Sequence, residues 1–435
     1  MVDYFSKEIH ASVAMENRIR QLFLYADAAG RDIPDYMEKL RNEGLIPCRD
    51  KRAGKAALDR LCELMQFDPE DVRIDQPRES REVLAGNDPE GFAKKSKNSG
   101  MHLYIEEDIK DNADVKRITE RLNFPELIYI RHYKDILARG SSEGCAETTG
   151  KSMVLANKTG RLLYEGAPVC QDFGNSHFYY TSCVMNCLYD CEYCYLKGMY
   201  PSDVPVVFIN LDDIFKEVES LLESFPVHLC VSYDTDLMAL EDITGYVRRW
   251  CEFTKLHKDL TVEIRTKCAR TDLWKDIEWC DRVIFAYTLS PDDIIKRYEK
   301  CTPDLEHRIS AIVSGMESYA SAVNDGSEAY PFRLCFDPMI YVKDWREMYH
   351  DMWERVMNEI DLMHIRDYSV GSFRISDSYL KNMRVRFSGS ALVQYPYDVV
   401  AGYYQYPEKI ADEMECYMEE LISESVPGAK VFRWK

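Results

Sequence analysis

The sequence predicts an α/β chain in which an N-terminal helical unit precedes a partial (β/α)6 TIM-like barrel that ends in a C-terminal helix. Three observations carry this expectation. Residues 1–75 have helical periodicity, a strand-helix alternation repeats beyond residue 170, and 435 residues exceed what a single core comfortably fills.

In the first unit, RIRQLFLYADAAGRDIPDYMEKLRNEG and KAALDRLCELMQF place apolar residues three and four apart, as at Leu58, Leu61, Cys62 and Met65. The polar, turn-rich run 69–100 then reads as a linker or exposed loop, and residues 76–170 as a connecting region. From 171 to 435, short β-branched and aromatic runs alternate with amphipathic ones. The pairs are VPVVFINL with DDIFKEVESLLESF, VHLCVSY with ITGYVRRWCEFTKLH, LTVEIRTK with DLWKDIEW, and RVIFAYTL with PDDIIKRYEK and LEHRISAIVSGMESYASAV. The series closes with FRLCFDPMIYV before WREMYHDMWERVMNEI, and then YSVGSFRI. Repeated β-α units favour a parallel sheet with helices outside it, and chemistry at the C-terminal strand ends.

Composition narrows the class. With 46% hydrophobic residues, 17 prolines and 20 glycines, the chain is globular. No apolar run is long enough for a membrane span, and the N-terminus lacks the apolar core of a signal peptide, so the expectation is a cytoplasmic chain with no membrane partner. Fifteen cysteines then read as reduced thiols and metal ligands. The net charge of -20 is uneven: residues 1–170 carry 27 Lys+Arg against 30 Asp+Glu, and residues 171–435 carry 28 against 45. An acidic body repels duplex DNA at long range, so a nucleic-acid role requires a local basic cleft.

The strongest motif is TSCVMNCLYDCEYCYLK, residues 181–197. Cys187, Cys191 and Cys194 form C-x3-C-x2-C with an aromatic residue before the last cysteine. Three thiolates within eight residues suit a [4Fe-4S] cluster with one iron left open to a small chelating molecule. Two alternatives stay open. A zinc site would need two ligand pairs, and no second C-x-x-C or nearby His pair supplies them. Cys183 as a fourth ligand would close the cluster and make the chain a non-catalytic iron-sulfur binding or electron-transfer protein.

The C-x3-C-x2-C pattern resembles the signature of radical S-adenosylmethionine (SAM) enzymes. CEYCYL at 191–196, ELIYIRHYKDIL at 126–137, the stretch 283–309, PMIYVKDW at 338–345 and the FRI strand near Arg374 together resemble the spore photoproduct lyase family. The resemblance implies a partial barrel of radical SAM type, with residues 76–170 containing the family's N-terminal region. It also implies S-adenosyl-L-methionine as cofactor, a one-electron donor such as flavodoxin or ferredoxin, and a DNA-repair lyase that uses a 5'-deoxyadenosyl radical to reverse a methylene-bridged thymine dimer. By position, Cys187, Cys191 and Cys194 correspond to the cluster ligands, and Tyr193 and Tyr195 to tyrosines at the cofactor and radical relay. Lys267 corresponds to a lysine near the cofactor carboxylate, and Thr288 and Ser290 to small polar residues along the cofactor.

One departure stands out. The family places a hydrogen-donating cysteine in C-T-S-D after the second barrel strand, where this chain has Tyr233, with Cys230 three residues earlier. Three residues along a strand is roughly 10 Å, and an odd offset turns the side chain to the other face, so without a bulge Cys230 reads as a core residue; Cys230 and Tyr233 both stand as catalytic candidates, Tyr233 as a radical carrier. The missing cysteine and the acidic body leave a second expectation open, the same cofactor chemistry on a peptide, a modified nucleotide or a metabolite.

Overall fold

The computed structural model describes residues 1–72, 102–122, 126–139, 152–167, 170–323 and 330–433. The linker expected over 69–100 lies outside the described residues from position 73 onward.

The first unit is four helices, Val2–Glu8, Val13–Ala28, Ile33–Asn42 and Lys51–Gln66. Local chemistry sets their starts: the Ser12 hydroxyl accepts from Met15 N, the Asp50 carboxylate accepts from Arg52 and Ala53 N, and Pro34 occupies a first turn where no intrahelical N–H is needed. The stripe Leu58, Leu61, Cys62 and Met65 is buried, and the core it joins is continuous with that of the barrel. Gln66 Nε2 donates to the Pro396 carbonyl at 2.7 Å, the Tyr395 hydroxyl donates to the Gln66 carbonyl at 2.7 Å, and the Tyr25 and Tyr395 rings meet edge to face at 5.4 Å.

The barrel sheet has seven parallel strands: β1 (Phe178–Tyr180), β2 (Val227–Cys230), β3 (Leu260–Thr266), β4 (Val283–Thr288), β5 (Tyr330–Met339), β6 (Ile365–Ser372) and β7 (Val431–Arg433). They lie in sequence order, and the short strand Tyr164–Glu165 adds antiparallel to β1. The connecting helices include Tyr246–Leu256, Asp292–Tyr298, Leu305–Ala322 and Trp345–Glu359, and the helix Glu408–Ser425 leads into β7. This is the curled, parallel half-barrel that the alternation predicts. Among the described residues no helix is long and apolar enough to cross a membrane.

Three local expectations change. VPVVFINL forms a strand, Val206–Phe208, but in a second sheet, beside Ser152–Ala156, His102–Glu106 and Glu126–Ile130. Val154, Ala156, Val206 and Phe208 bury there in a small core of their own. DLWKDIEW forms only a 3-10 turn, Asp272–Asp276, because Arg270 grips Asp272 and the buried Trp274 indole donates to the Ala311 carbonyl at 2.9 Å. Third, β2 stops at Cys230, so the two-residue alternation does not extend to Tyr233. Cys230 stands in register with Glu263, on the inner face.

Candidate functional site

The cysteine loop is tethered on three sides. Before it, Val184–Met185 pairs antiparallel with Val206–Phe208 of the second sheet. Within it, Asp190–Cys191 pairs with Glu299–Lys300, placing Cys191 opposite Glu299. After it, the short helix Leu196–Met199 lies against the helix Asp377–Arg386, where a Cβ on Gly198 would fall 2.3 Å from the Tyr379 carbonyl oxygen. Only glycine permits that approach. Asn382 Nδ2 donates to the Gly198 carbonyl at 2.9 Å and holds the same junction.

Glu299 is the hub of the site. It is fully buried and accepts from the Tyr193 hydroxyl at 2.5 Å, the Ser290 hydroxyl at 2.8 Å and Arg308 Nη2 at 2.5 Å. Lys267 Nζ, arriving from the end of β3, donates to the Tyr193 hydroxyl at 2.8 Å and lies 3.8 Å from Glu299 and 3.9 Å from Cys191 Sγ. Burial opposes ionisation of Glu299, but Arg308 and then Lys267 hold its carboxyl down at about 2. Burial likewise acts to discharge Lys267, and the neighbouring Cys191, once it has lost its proton, and Glu299 outweigh it. Burial, then Glu299, pushes the Tyr193 phenol well above its ordinary value. The end of β3 is itself locked by Asp236, which accepts from Thr266 Oγ1 at 2.8 Å and from Lys267 N at 2.6 Å. Thr288 contributes its carbonyl, which accepts from Arg308 Nη1 at 3.0 Å.

Burial pushes the Cys191 thiol up to about 12 and also raises Cys187 and Cys194, so these thiols stay protonated until a metal replaces the proton. Among the described residues, the His, Cys, Asp and Glu ligand atoms that converge within 4.8 Å of one another belong to His350, Asp351 and Glu354, away from this loop. The three thiols are therefore not gathered to the spacing of about 3.8 Å that one tetrahedral zinc imposes. Three cysteine thiolates are by their chemistry the donor set of an iron-sulfur cluster. Cys183 is wholly buried and its sulfur accepts from the Trp250 indole at 3.4 Å, which commits it to packing rather than to a fourth ligand position.

The remaining candidates gather at the barrel mouth. The Tyr195 hydroxyl donates to the Tyr233 carbonyl at 2.5 Å, and the Tyr233 ring stacks on Tyr180 with centroids 3.9 Å apart. The Tyr233 hydroxyl lies 3.5 Å from Cys170 Sγ. Cys230 is 3% exposed on the inner face, where burial pushes its thiol up to about 12.

Sequence reasoning missed Glu299, Arg308, Asp236 and Cys170 as site residues. Glu299 and Arg308 lie inside the stretch 283–309 that carried the family resemblance, so their signal was present but not separable from an ordinary charged helix. Cys170 sits 63 residues from its partner and had no local signal.

A seven-stranded parallel half-barrel with a three-cysteine loop across its C-terminal strand ends is the TIM-like half-barrel fold of solved spore photoproduct lyases. The family model for spore photoproduct lyase matches residues 174–386. The spore photoproduct lyase of Bacillus subtilis (strain 168) is 21% identical over 174 residues, 39% of this chain and 48% of that protein, so the aligned sequence spans about half the length of the curated relative. A solved spore photoproduct lyase complexed with dinucleoside spore photoproduct superposes with a TM-score of 0.64 at 16% identity, covering 76% of this chain and 98% of that one. A variant with bound AdoMet and the same dinucleoside superposes with a TM-score of 0.59 at 16% identity, over 76% and 97%. Over residues 174–386 the chain is similar to spore photoproduct lyase.

Proposed function

We propose that this chain is a radical S-adenosylmethionine enzyme of spore photoproduct lyase type that reverses a methylene-bridged thymine dimer in DNA. The supporting observation is the buried set of Lys267, Tyr193 and Glu299 against Cys191, at the strand ends where this fold does its chemistry. In this reading Cys187, Cys191 and Cys194 hold a [4Fe-4S] cluster, and the cluster with its cofactor, when bound, supplies a 5'-deoxyadenosyl radical. Lys267 Nζ is the cation for the cofactor's carboxylate, and Tyr193 and Glu299 keep that ammonium aimed across the strand end. Ser290 orients Glu299, while Thr288 steadies Arg308 behind it.

Tyr195 fixes the turn that carries Tyr233. Cys170 supplies, from another segment, the thiol that position 233 lacks: its S–H bond breaks as a C–H bond forms on the substrate-derived carbon radical, which leaves a sulfur radical beside the Tyr233 phenol. A dimer lesion reaches the mouth with its bases turned out of the stack. The thiols are kept reduced in the cytoplasm, and a flavodoxin- or ferredoxin-type protein delivers the electron.

Tyr233 in place of cysteine, on a chain with a net charge of -20, supports a second reading in which the same chemistry acts on a peptide, a modified nucleotide or a metabolite. The test uses anaerobically reconstituted protein with reductant and S-adenosylmethionine, with and without a dinucleotide spore photoproduct. Lesion-dependent thymine release with 5'-deoxyadenosine supports the lyase, and Cys170→Ser should then keep cofactor cleavage while losing thymine. Deoxyadenosine without lesion turnover moves the substrate elsewhere. No cofactor cleavage in a cluster-loaded sample refutes both readings.

A further inference from the structure

We infer that Glu70 is a positioning residue for the cysteine loop, through which the N-terminal helical unit, outside the residues matched by the family model, reaches the site. The inference rests on the reading that this loop holds the cluster.

Glu70 follows the helix Lys51–Gln66 and is fixed by its own backbone, whose carbonyl accepts from Lys343 N at 2.9 Å. Its carboxylate accepts from Arg297 Nε at 3.0 Å and from the Tyr298 hydroxyl. Both partners pass directly to the loop. Arg297 Nη1 donates to Glu192 at 3.2 Å, and the Tyr298 carbonyl accepts from Glu192 N at 2.6 Å. Glu192 stands between Cys191 and Tyr193, and Ser390 holds its other oxygen. The next residue after Tyr298 is Glu299, the hub that pairs with Cys191 and receives Tyr193.

Two physical consequences follow from this chain of contacts. Arg297 bridges two carboxylates, Glu70 and Glu192, and without the first it is free to leave the second. Tyr298 is 1% exposed and its hydroxyl donates to Glu70, so truncating Glu70 takes away the partner that fixes the segment 297–299 from this side. Groups that orient metal ligands from behind are worth about 10–100-fold in metal affinity, and Glu70, one step further out, belongs at the low end of that range.

The test compares the full chain with Glu70→Ala, Glu70→Gln and Gln66→Ala. Gln66→Ala loosens the docking of the same unit without touching residues 297–298. Hydrogen exchange is read on the metal-free chain, and iron release to a chelator on the reconstituted one. In Glu70→Ala, residues 187–195 should exchange about tenfold faster while 345–359 is unchanged, and iron should leave about tenfold faster. Glu70→Gln, which keeps an acceptor for Tyr298, should recover most of both, and Gln66→Ala should match the parent in the loop. Unchanged loop exchange in Glu70→Ala, equal acceleration throughout the chain, or a Gln66→Ala effect as large as that of Glu70→Ala would overturn the inference. A parent chain that binds no iron refutes the cluster assignment instead, and the metal-free exchange still decides Glu70.

Discussion

Two ionic sets are buried on the inner face of the barrel. At mid-height, Glu263 of β3 accepts from Arg333 at 2.6 Å, Arg265 at 2.8 Å and His228 at 3.1 Å, and Arg333 also pairs with Asp367. Every member comes from a strand. The upper set, Glu299 with Arg308, Lys267 and Tyr193, takes one member from a strand end, one from a helix and one from the cysteine loop. Lys267 lies four residues beyond Glu263 on the same chain segment, about 13 Å along an extended strand. The first set joins strands to one another, whereas the second joins the framework to the loop that carries the thiols. Their charges are alike, and the difference lies in what they connect. On the proposed reading that the loop holds a cluster at the C-terminal strand ends, the lower set should govern stability and the upper set metal retention.

The largest effect that would break this division belongs to Arg333→Ala. It takes from buried Asp367 its bidentate guanidinium and from Glu263 one of its three donors, and should cost about 3–5 kcal/mol in urea unfolding of the metal-free chain. Iron release below the unfolding range should stay as in the parent. If iron is lost as fast as in a Glu299 variant, the two sets are not separate.

A third carboxylate, outside both sets, sharpens the point. Burial first, incompletely offset by hydrogen bonds from Val247 and Arg248 N and by the Arg248 charge, pushes Glu241 up to about 7. Its folded value lies above its unfolded one, so its contribution falls as pH rises from about 4.5 to about 7, by roughly 3 kcal/mol. Glu263 is the opposite case, held well below its ordinary value by Arg333 and Arg265 despite burial. Its contribution is complete above the usual carboxylate range and is lost only in acid. Urea midpoints at pH 5 and pH 7.5 should therefore fall in the parent and fall less in Glu241→Gln. An equal fall in both would show that Glu241 is not the source.

The smallest expected effect is the most telling for the site. Glu299→Gln keeps an acceptor for Tyr193 but removes the charge facing Arg308 and Lys267, and iron should leave about 10–100-fold faster, equivalent to about 1.4–2.8 kcal/mol. The urea midpoint should move less than in Arg333→Ala.

The strand-helix alternation was legible because buried parallel strands and amphipathic helices have different periods, and it located each barrel strand from β2 to β6. VPVVFINL went to the wrong sheet because an apolar run reports burial and not its neighbour. The cysteine spacing and Lys267 were legible because loop ligands and a strand-end cation are local features. Glu299 and Arg308 were not, since the Tyr193 to Glu299 contact spans 106 residues and a Glu or Arg in a helical stretch reads as solvated. The tyrosine offset failed at Tyr233 for a simpler reason: a two-residue period holds only while the strand lasts, and this one ends at Cys230.

The pairing of Cys191 with Glu299 also bears on when the cysteine loop comes into being. The loop takes its shape from chain made well after it, so during synthesis the thiols emerge long before the segment that arranges them. Closing so large a loop is entropically slow, and the contact belongs late in folding. Iron that arrives early meets three independent cysteines, and iron that arrives late meets a finished receptacle. On the proposed cluster reading, delivery should therefore be most faithful to a chain that has already completed its barrel, and yields should depend on the order in which folding and iron are supplied.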